Sequence, residues 1–351
     1  MTSSTKIPLG RPWMGEEEEA AALRVLRSGR LTQGPEILAF EEELAAACGR
    51  RWAVAVSSGT AALHLALWAC GVGPGQTIRV PAFTFPATAN VVRLLGAEVE
   101  LVDVNERTWC MRLPDKLEGR HRSLTVHQFG FPTRVFEGDI SDAACAAGVP
   151  GAMTGLCACL SFHPRKVLTT GEGGAIVGDD EGLRDALRTL RSHGLVPRTD
   201  SGRFVHFDLP APALNYRMPE VCAAVGRVQL AKLPGMLSER RVLVERYRAR
   251  LGGLEMQADT PSRSWQTFAV VVPDGIDRES VRARLADEGI ETQVGSYGVH
   301  TLAAYRAEAA LFPVADRLHR QALALPLWNG LPEGDVDRVA GALFRALEST
   351  A

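Results

Sequence analysis

The chain has no C-x-x-C pair, and its seven cysteines are scattered and odd in number. Cys157 and Cys159 would share one face of a strand, but no second pair completes a zinc set. That excludes a zinc ribbon and a disulfide framework, and it predicts free, buried thiols in a reducing compartment. No stretch approaches the ~20 consecutive apolar residues a membrane span needs, and residues 1–8 lack an apolar signal core. The expectation is a cytoplasmic protein without a metal. Excess positive charge is also missing. The formal net charge is -2, which argues against a phosphate-backbone binder. Basic stretches such as Glu239-Arg240-Arg241 alternate with apolar residues and read as the wet face of a helix. Neither G-x-x-x-x-G-K-[ST] nor G-x-G-x-x-G occurs, so ATP and dinucleotides are not favoured. There is no internal repeat and no low-complexity segment.

What remains is an ordinary globular composition over 351 residues, 46% hydrophobic and 23% charged. That length predicts two domains and a substantial core. Residues 15–29 and 35–47 carry helical patterns ending at Gly29 and Gly49. Short β-like runs follow at 52–56, 77–80, 99–102, 123–127, 135–136, 157–162 and 174–177. Helical patterns at 61–70 and 87–95 lie between some of them. This alternation predicts an α/β fold with a mostly parallel sheet covered on both faces. The texture changes after Leu233-Pro234-Gly235. A charged helix over 236–251, strands near 267–272 and 289–294, and helices over 278–288 and 333–349 predict a smaller α+β domain. The reading divides the chain into 1–235 and 236–351.

Three segments carry chemistry. Ser57-Ser58-Gly59-Thr60-Ala61 follows a strand and opens a helix, whose first amides lack internal partners and lie at the positive end of the helix dipole. It could cradle a phosphate or simply be a capped helix start. Asp139-Ile140-Ser141-Asp142 sets an acid at the carboxyl end of a strand, where an α/β sheet opens its ligand crevice. Such an aspartate could keep a pyridinium nitrogen protonated, or could cap the next helix. Ser161-Phe162-His163-Pro164-Arg165-Lys166 places a lysine between an apolar strand and the turn Gly171-Glu172-Gly173-Gly174. An amine pinned there can form an imine with an aldehyde, although most lysines are merely solvated. Phe85, in Pro81-Ala82-Phe83-Thr84-Phe85-Pro86, could stack on a flat ring or join the core.

In this order the segments resemble the DegT/DnrJ/EryC1/StrS family of pyridoxal-phosphate sugar aminotransferases. The resemblance extends through Leu214-Asn215-Tyr216-Arg217-Met218 to Leu325-Pro326-Leu327. It implies fold type I of the pyridoxal-phosphate enzymes, with a seven-stranded, mostly parallel sheet, a smaller C-terminal domain and an N-terminal arm. It implies that Lys166 forms the Schiff base with pyridoxal 5'-phosphate and moves protons. Asp142 would pair with the ring nitrogen, Asp139 being the fallback. Gly59, Thr60, Ala61 and Ser161 would hold the phosphate, and Phe85 would stack on the ring. Asn215 would reach the phosphate from the neighbouring subunit, which implies a homodimer with shared active sites. Arg217 is a candidate for a substrate anion. The implied reaction moves an amino group from an amino acid, L-glutamate by resemblance, to a keto sugar that is nucleotide-linked.

Two departures stand out. Cys145 occupies the position where the family has His or Gln. The stretch from His127-Gln128-Phe129-Gly130 to Asp142 is too short for the usual helix, so part of the sheet would be covered by residues 143–154 or by a dimer partner. A sugar dehydratase, whose relatives replace the lysine by histidine, and a non-catalytic, cofactor-binding regulatory relative are the alternative readings.

Overall fold

A computed structural model describes residues 6–114 and 122–350 of the chain. Two helices come first, α1 (Glu16–Ser28) and α2 (Pro35–Cys48). Four glutamates in the first turn of α1 complement its dipole. In α2, Pro35 stands where its missing N–H costs nothing. The buried carboxylate of Glu220 accepts from the amides of Gly34, Glu36 and Ile37, a long-range cap on the same helix.

The sheet-forming part follows: β1 (Trp52–Val56), α3 (Gly59–Ala69), β2 (Thr77–Pro81), β3 (Phe83–Thr84), α4 (Ala87–Leu94), β4 (Glu98–Val102), β5 (Arg122–Val126), β6 (Ile140–Asp142), β7 (Cys157–Ser161), β8 (Gly174–Gly178) and α5 (Glu181–Leu190). Seven of these strands form one sheet in the order β1-β8-β7-β6-β5-β2-β4. All pairings are parallel except those of β8, which runs antiparallel to both neighbours. Alternate residues face two apolar layers. Val54, Val56, Leu124, Ile140 and Ile176 pack with α3 and α4. Ala53, Ala55, Ala158, Leu160 and Ala175 pack with α2. The predicted mostly parallel α/β sheet is present.

The remainder contains the hairpin β9 (Val196–Asp200) and β10 (Arg203–Asp208), then α6 (Glu220–Arg250), β11 (Phe268–Val271), α7 (Arg278–Asp287), β12 (Gln293–Val294), β13 (Tyr297–Gly298), α8 (Pro313–Gln321), β14 (Ala322–Leu325) and α9 (Glu333–Glu348). β11, β14 and β12 make a small sheet. Its side chains join α6, α7 and α9 in a separate core that includes Tyr247, Phe268, Leu285, Leu323 and Leu343. α6 runs unbroken through Leu233-Pro234-Gly235, where the sequence predicts a break. Leu230, Leu233 and Met236 stay buried against the main core on both sides of Pro234. Packing therefore offsets the hydrogen bond that proline removes.

The run at 135–136 forms no strand. Phe136 instead lies under the Arg134 guanidinium, 4.4 Å from ring centroid to Cζ, in a helix-free loop. The strand after β5 begins at Ile140. The sheet face left by the missing helix is polar: Ser123, Thr125, His127 and Ser141 are all buried. His127 Nδ1 accepts from Thr133 N–H at 3.1 Å, so Nε2 carries the proton and donates to Ser141 Oγ at 2.7 Å, and Ser141 donates to the Ala152 carbonyl at 2.8 Å. Ala143, Ala146, Val149 and Ala152 sink into the main core. Thus residues 143–154 close the gap from within the same chain.

Candidate active site

A cavity of about 620 Å³ opens at the carboxyl ends of the central strands. Such a volume accommodates a small cofactor with substrate. Gly59, Thr60, Phe85, Asp142, Ser161 and Lys166 all line it. They come from four separate chain segments, which converge on this one cavity.

One wall is the start of α3. Ser58 caps the helix, its Oγ accepting from the Ala61 amide at 3.0 Å. The Ala61 N–H is thereby engaged, and Ala61 itself is buried outside the cavity lining. The preceding residues, Gly59 and Thr60, sit at the positive helix end and face the cavity. Gly59 is required by space: a Cβ there would stand 2.6 Å from Ser161 Cβ. The close approach brings the Ser161 hydroxyl to the same wall.

Asp142 ends β6 and is 5% exposed. It caps no helix. Oδ1 accepts from the Ala144 amide at 3.1 Å, and Oδ2 accepts from Thr88 Oγ1 at 2.9 Å. Burial raises its pKa above the usual carboxylate value, against the opposing pull of the Ala144 amide, Thr88 and the Lys166 charge. Asp139 lies outside the cavity lining and accepts from the Ser123 amide at 2.8 Å.

Lys166 follows β7 after a turn closed by its own amide on the His163 carbonyl. The chain contains four lysines. Lys6 pairs with Glu291, Lys232 pairs with Glu17 and Glu18, and Lys116 lies outside the described residues. Lys166 lines the cavity, with Nζ 3.2 Å from Cys145 Sγ. The sequence reading missed Gln266, whose amide grips the backbone on both sides of this lysine. It donates to the Arg165 carbonyl and accepts from Val167 N–H at 2.9 Å. No local pattern announces a partner a hundred positions away.

The opposite wall carries Phe85, 57% exposed at the start of α4, with its ring edge-on to Tyr297 at 6.0 Å. Beneath lies a constrained corner. Phe129 has a left-handed backbone (φ 56), and Gly130 (φ 82) has no room for a Cβ, which would fall 1.9 Å from Ser264 Oγ. Ser264 Oγ in turn donates to the Cys145 carbonyl at 2.7 Å, fixing the segment that follows Asp142.

Asn215 and Arg217 do not line this cavity. Both lie on a strip that bonds to Ser57 through the Tyr216 carbonyl, at 2.9 Å. Asn215 is exposed, with Oδ1 accepting from the Arg217 amide, and Arg217 Nη1 donates to Ser192 Oγ at 2.8 Å. Among the described residues no cluster of three or more His, Cys, Asp or Glu could hold a metal, and no helix is long and apolar enough to cross a membrane.

The residues fit a flat, phosphorylated aldehyde. A tight helix start suits its phosphate, a buried acid suits a ring nitrogen, an exposed aromatic suits its face, and Lys166, the one lysine lining the cavity among the described residues, suits its carbonyl. These define the α/β class of pyridoxal-phosphate enzymes. Residues 12–121 and 140–344 match the sequence model of the DegT/DnrJ/EryC1/StrS aminotransferase family, and the chain belongs to that family. The unmatched interval contains the shortened loop. The aminotransferase TlmJ from Streptoalloteichus hindustanus is 30% identical with TM-score 0.88, over 98% of this chain and 99% of that one. DesV of S. venezuelae is 30% identical with TM-score 0.85, over 98% and 99%. Spr1654 from Streptococcus pneumoniae in its PLP form shares the fold at 24% identity and TM-score 0.89, over 99% and 100%. The chain is a pyridoxal-phosphate-dependent aminotransferase of fold type I.

Proposed function

We propose that this enzyme transfers an amino group from L-glutamate to a keto sugar carried on a nucleotide. The observation that carries the reading is the meeting of Lys166, buried Asp142 and the α3 start in one cavity. Gly59, Thr60 and Ser161 hold the cofactor phosphate, Phe85 covers the ring, and Asp142 pairs with its nitrogen. The cost of burying Asp142 is offset by a cationic partner there. When bound, pyridoxal phosphate supplies an electron sink for the carbanion left by proton removal. Lys166 Nζ holds the cofactor covalently, then takes the proton from the donor's α-carbon and returns one to the acceptor. Gln266 and the Gly130 corner fix the backbone from which Lys166 and Cys145 project. The exposed Asn215 reaches the cofactor phosphate of a second copy, making a homodimer with shared sites, and Arg217 accompanies it toward a substrate anion. The chain divides near residue 235 into a large cofactor-binding domain with an N-terminal arm and a small domain, and it works in the cytoplasm.

The test is a half-reaction screen. Amine-form enzyme is mixed with nucleotide-linked 3-keto and 4-keto sugars, free keto sugars and cyclitol ketones, and the return of the visible cofactor band is followed. Return of the band with a nucleotide-linked keto sugar supports the proposal. Return only with unlinked ketones overturns the nucleotide linkage.

A further inference from the structure

The cavity wall carries one arginine, Arg165, among the described residues. Its guanidinium is exposed and is in ion-pair contact with no carboxylate among them; Nη1 donates to the neutral amide oxygen of Gln293, which also lines the cavity. The main chain below is held at three points. The Arg165 amide donates to His163 Nδ1 at 3.2 Å, its carbonyl accepts from Gln266, and the Val167 amide donates to Gln266 Oε1. The result is a fixed stem, a steered head group and an uncompensated positive charge facing the cavity.

We propose that Arg165, with Gln293, is the subsite for an oxyanion of the substrate: a donor carboxylate or an acceptor phosphate. This rests on the transaminase reading above. In that reading Lys166 is committed to the cofactor and Asp142 to the ring, which leaves Arg165 as the wall's remaining fixed cation. A guanidinium offers two parallel N–H donors that match a carboxylate or phosphate edge, and Gln293 orients one arm without neutralising it. Among the described residues the only other acid on the wall besides Asp142 is Glu172, which acts on His163, where burial lowers the imidazole pKa against the opposing pull of Glu172. An anion entering beside Arg165 therefore displaces an amide contact and breaks no ion pair.

The experiment uses the full chain loaded with pyridoxal phosphate, wild type and Arg165→Gln. Two unreactive probes are titrated by calorimetry: glutarate for a donor carboxylate, uridine diphosphate for an acceptor phosphate. The wild type is expected to bind at least one probe, and Arg165→Gln to bind it at least about tenfold more weakly, in line with losing a charge-assisted hydrogen bond. Cofactor content and the cofactor absorbance spectrum should be unchanged, and Arg165→Lys should fall between. Weakening confined to glutarate assigns the donor; weakening confined to uridine diphosphate assigns the acceptor. Equal binding of both probes by the two proteins, or no binding by the wild type, overturns the subsite. Neither result touches the transaminase reading, which fails separately if Lys166 never becomes linked to the cofactor.

Discussion

Gln266 bridges the peptide units on either side of Lys166, giving to the Arg165 carbonyl and taking from the Val167 amide at 2.9 Å. A residue next to β11 thus fixes the position of an amine that follows β7. Because Cys145 Sγ is the neighbour of Nζ and is a poor hydrogen-bonder, backbone anchoring has to supply the positioning.

Gln266→Ala is expected to lower turnover by about tenfold through misplacement of the amine, and stability by about 1 kcal/mol, for one partly buried and one exposed hydrogen bond. Gln266→Glu should be worse for turnover, since its carboxylate meets the Arg165 carbonyl instead of donating to it. Steady-state kinetics and thermal melts check both. Unchanged kcat in both variants would show that Lys166 needs no such anchor.

Asp142→Asn should separate stability from cofactor binding. Burial raises the Asp142 pKa, so the folded state holds this proton more tightly than the unfolded one. The penalty is absent below the unfolded value and grows as pH rises through the folded one. Cofactor-free Asp142→Asn should therefore unfold at higher temperature than wild type at neutral pH and at the same temperature near pH ~3. Its cofactor affinity should fall by about tenfold to a hundredfold, for loss of a charged hydrogen bond. Scanning calorimetry and fluorescence titration read the two effects.

His127 predicts an acid-side loss of stability. Burial lowers its pKa to about 4, partly opposed by backbone hydrogen bonding. The folded state binds this proton less readily than the unfolded one, so its contribution is complete above the unfolded value near 6.5 and is lost as pH falls toward about 4. The full span is worth about 3 kcal/mol. Urea midpoints between those limits should fall for wild type and flatten for His127→Gln. The same slope in both would place the titration elsewhere.

Periodicity and turn residues made most of the fold legible. Strands β1, β2, β4, β5, β7 and β8 lie where apolar runs meet Gly and Pro boundaries. Lys166, Asp142, Gly59, Thr60, Ser161 and Phe85 are legible because each sits at the end of such an element and so faces the same crevice. What was hidden depends on contacts distant in sequence. Apolar residues at 135–136 mimic a strand, yet Phe136 is covered by Arg134. Pro234 and Gly235 mimic a helix end, yet Leu233 and Met236 hold α6 together. The hairpin β9–β10 did have a local signal, Ser201 and Gly202 with φ of 49 and 80 between β-like runs. Gln266 and Gln293 had none, because an amide declares its role only through its partners.

Borohydride reduction of the cofactor-loaded protein, followed by proteolysis and peptide mass mapping, tests the central claim most directly. The account predicts a pyridoxyl group on Lys166 and on no other of the four lysines, and its disappearance in Lys166→Ala, which should still bind the cofactor without turnover. A tag on Lys6, Lys116 or Lys232, or none at all, would contradict it.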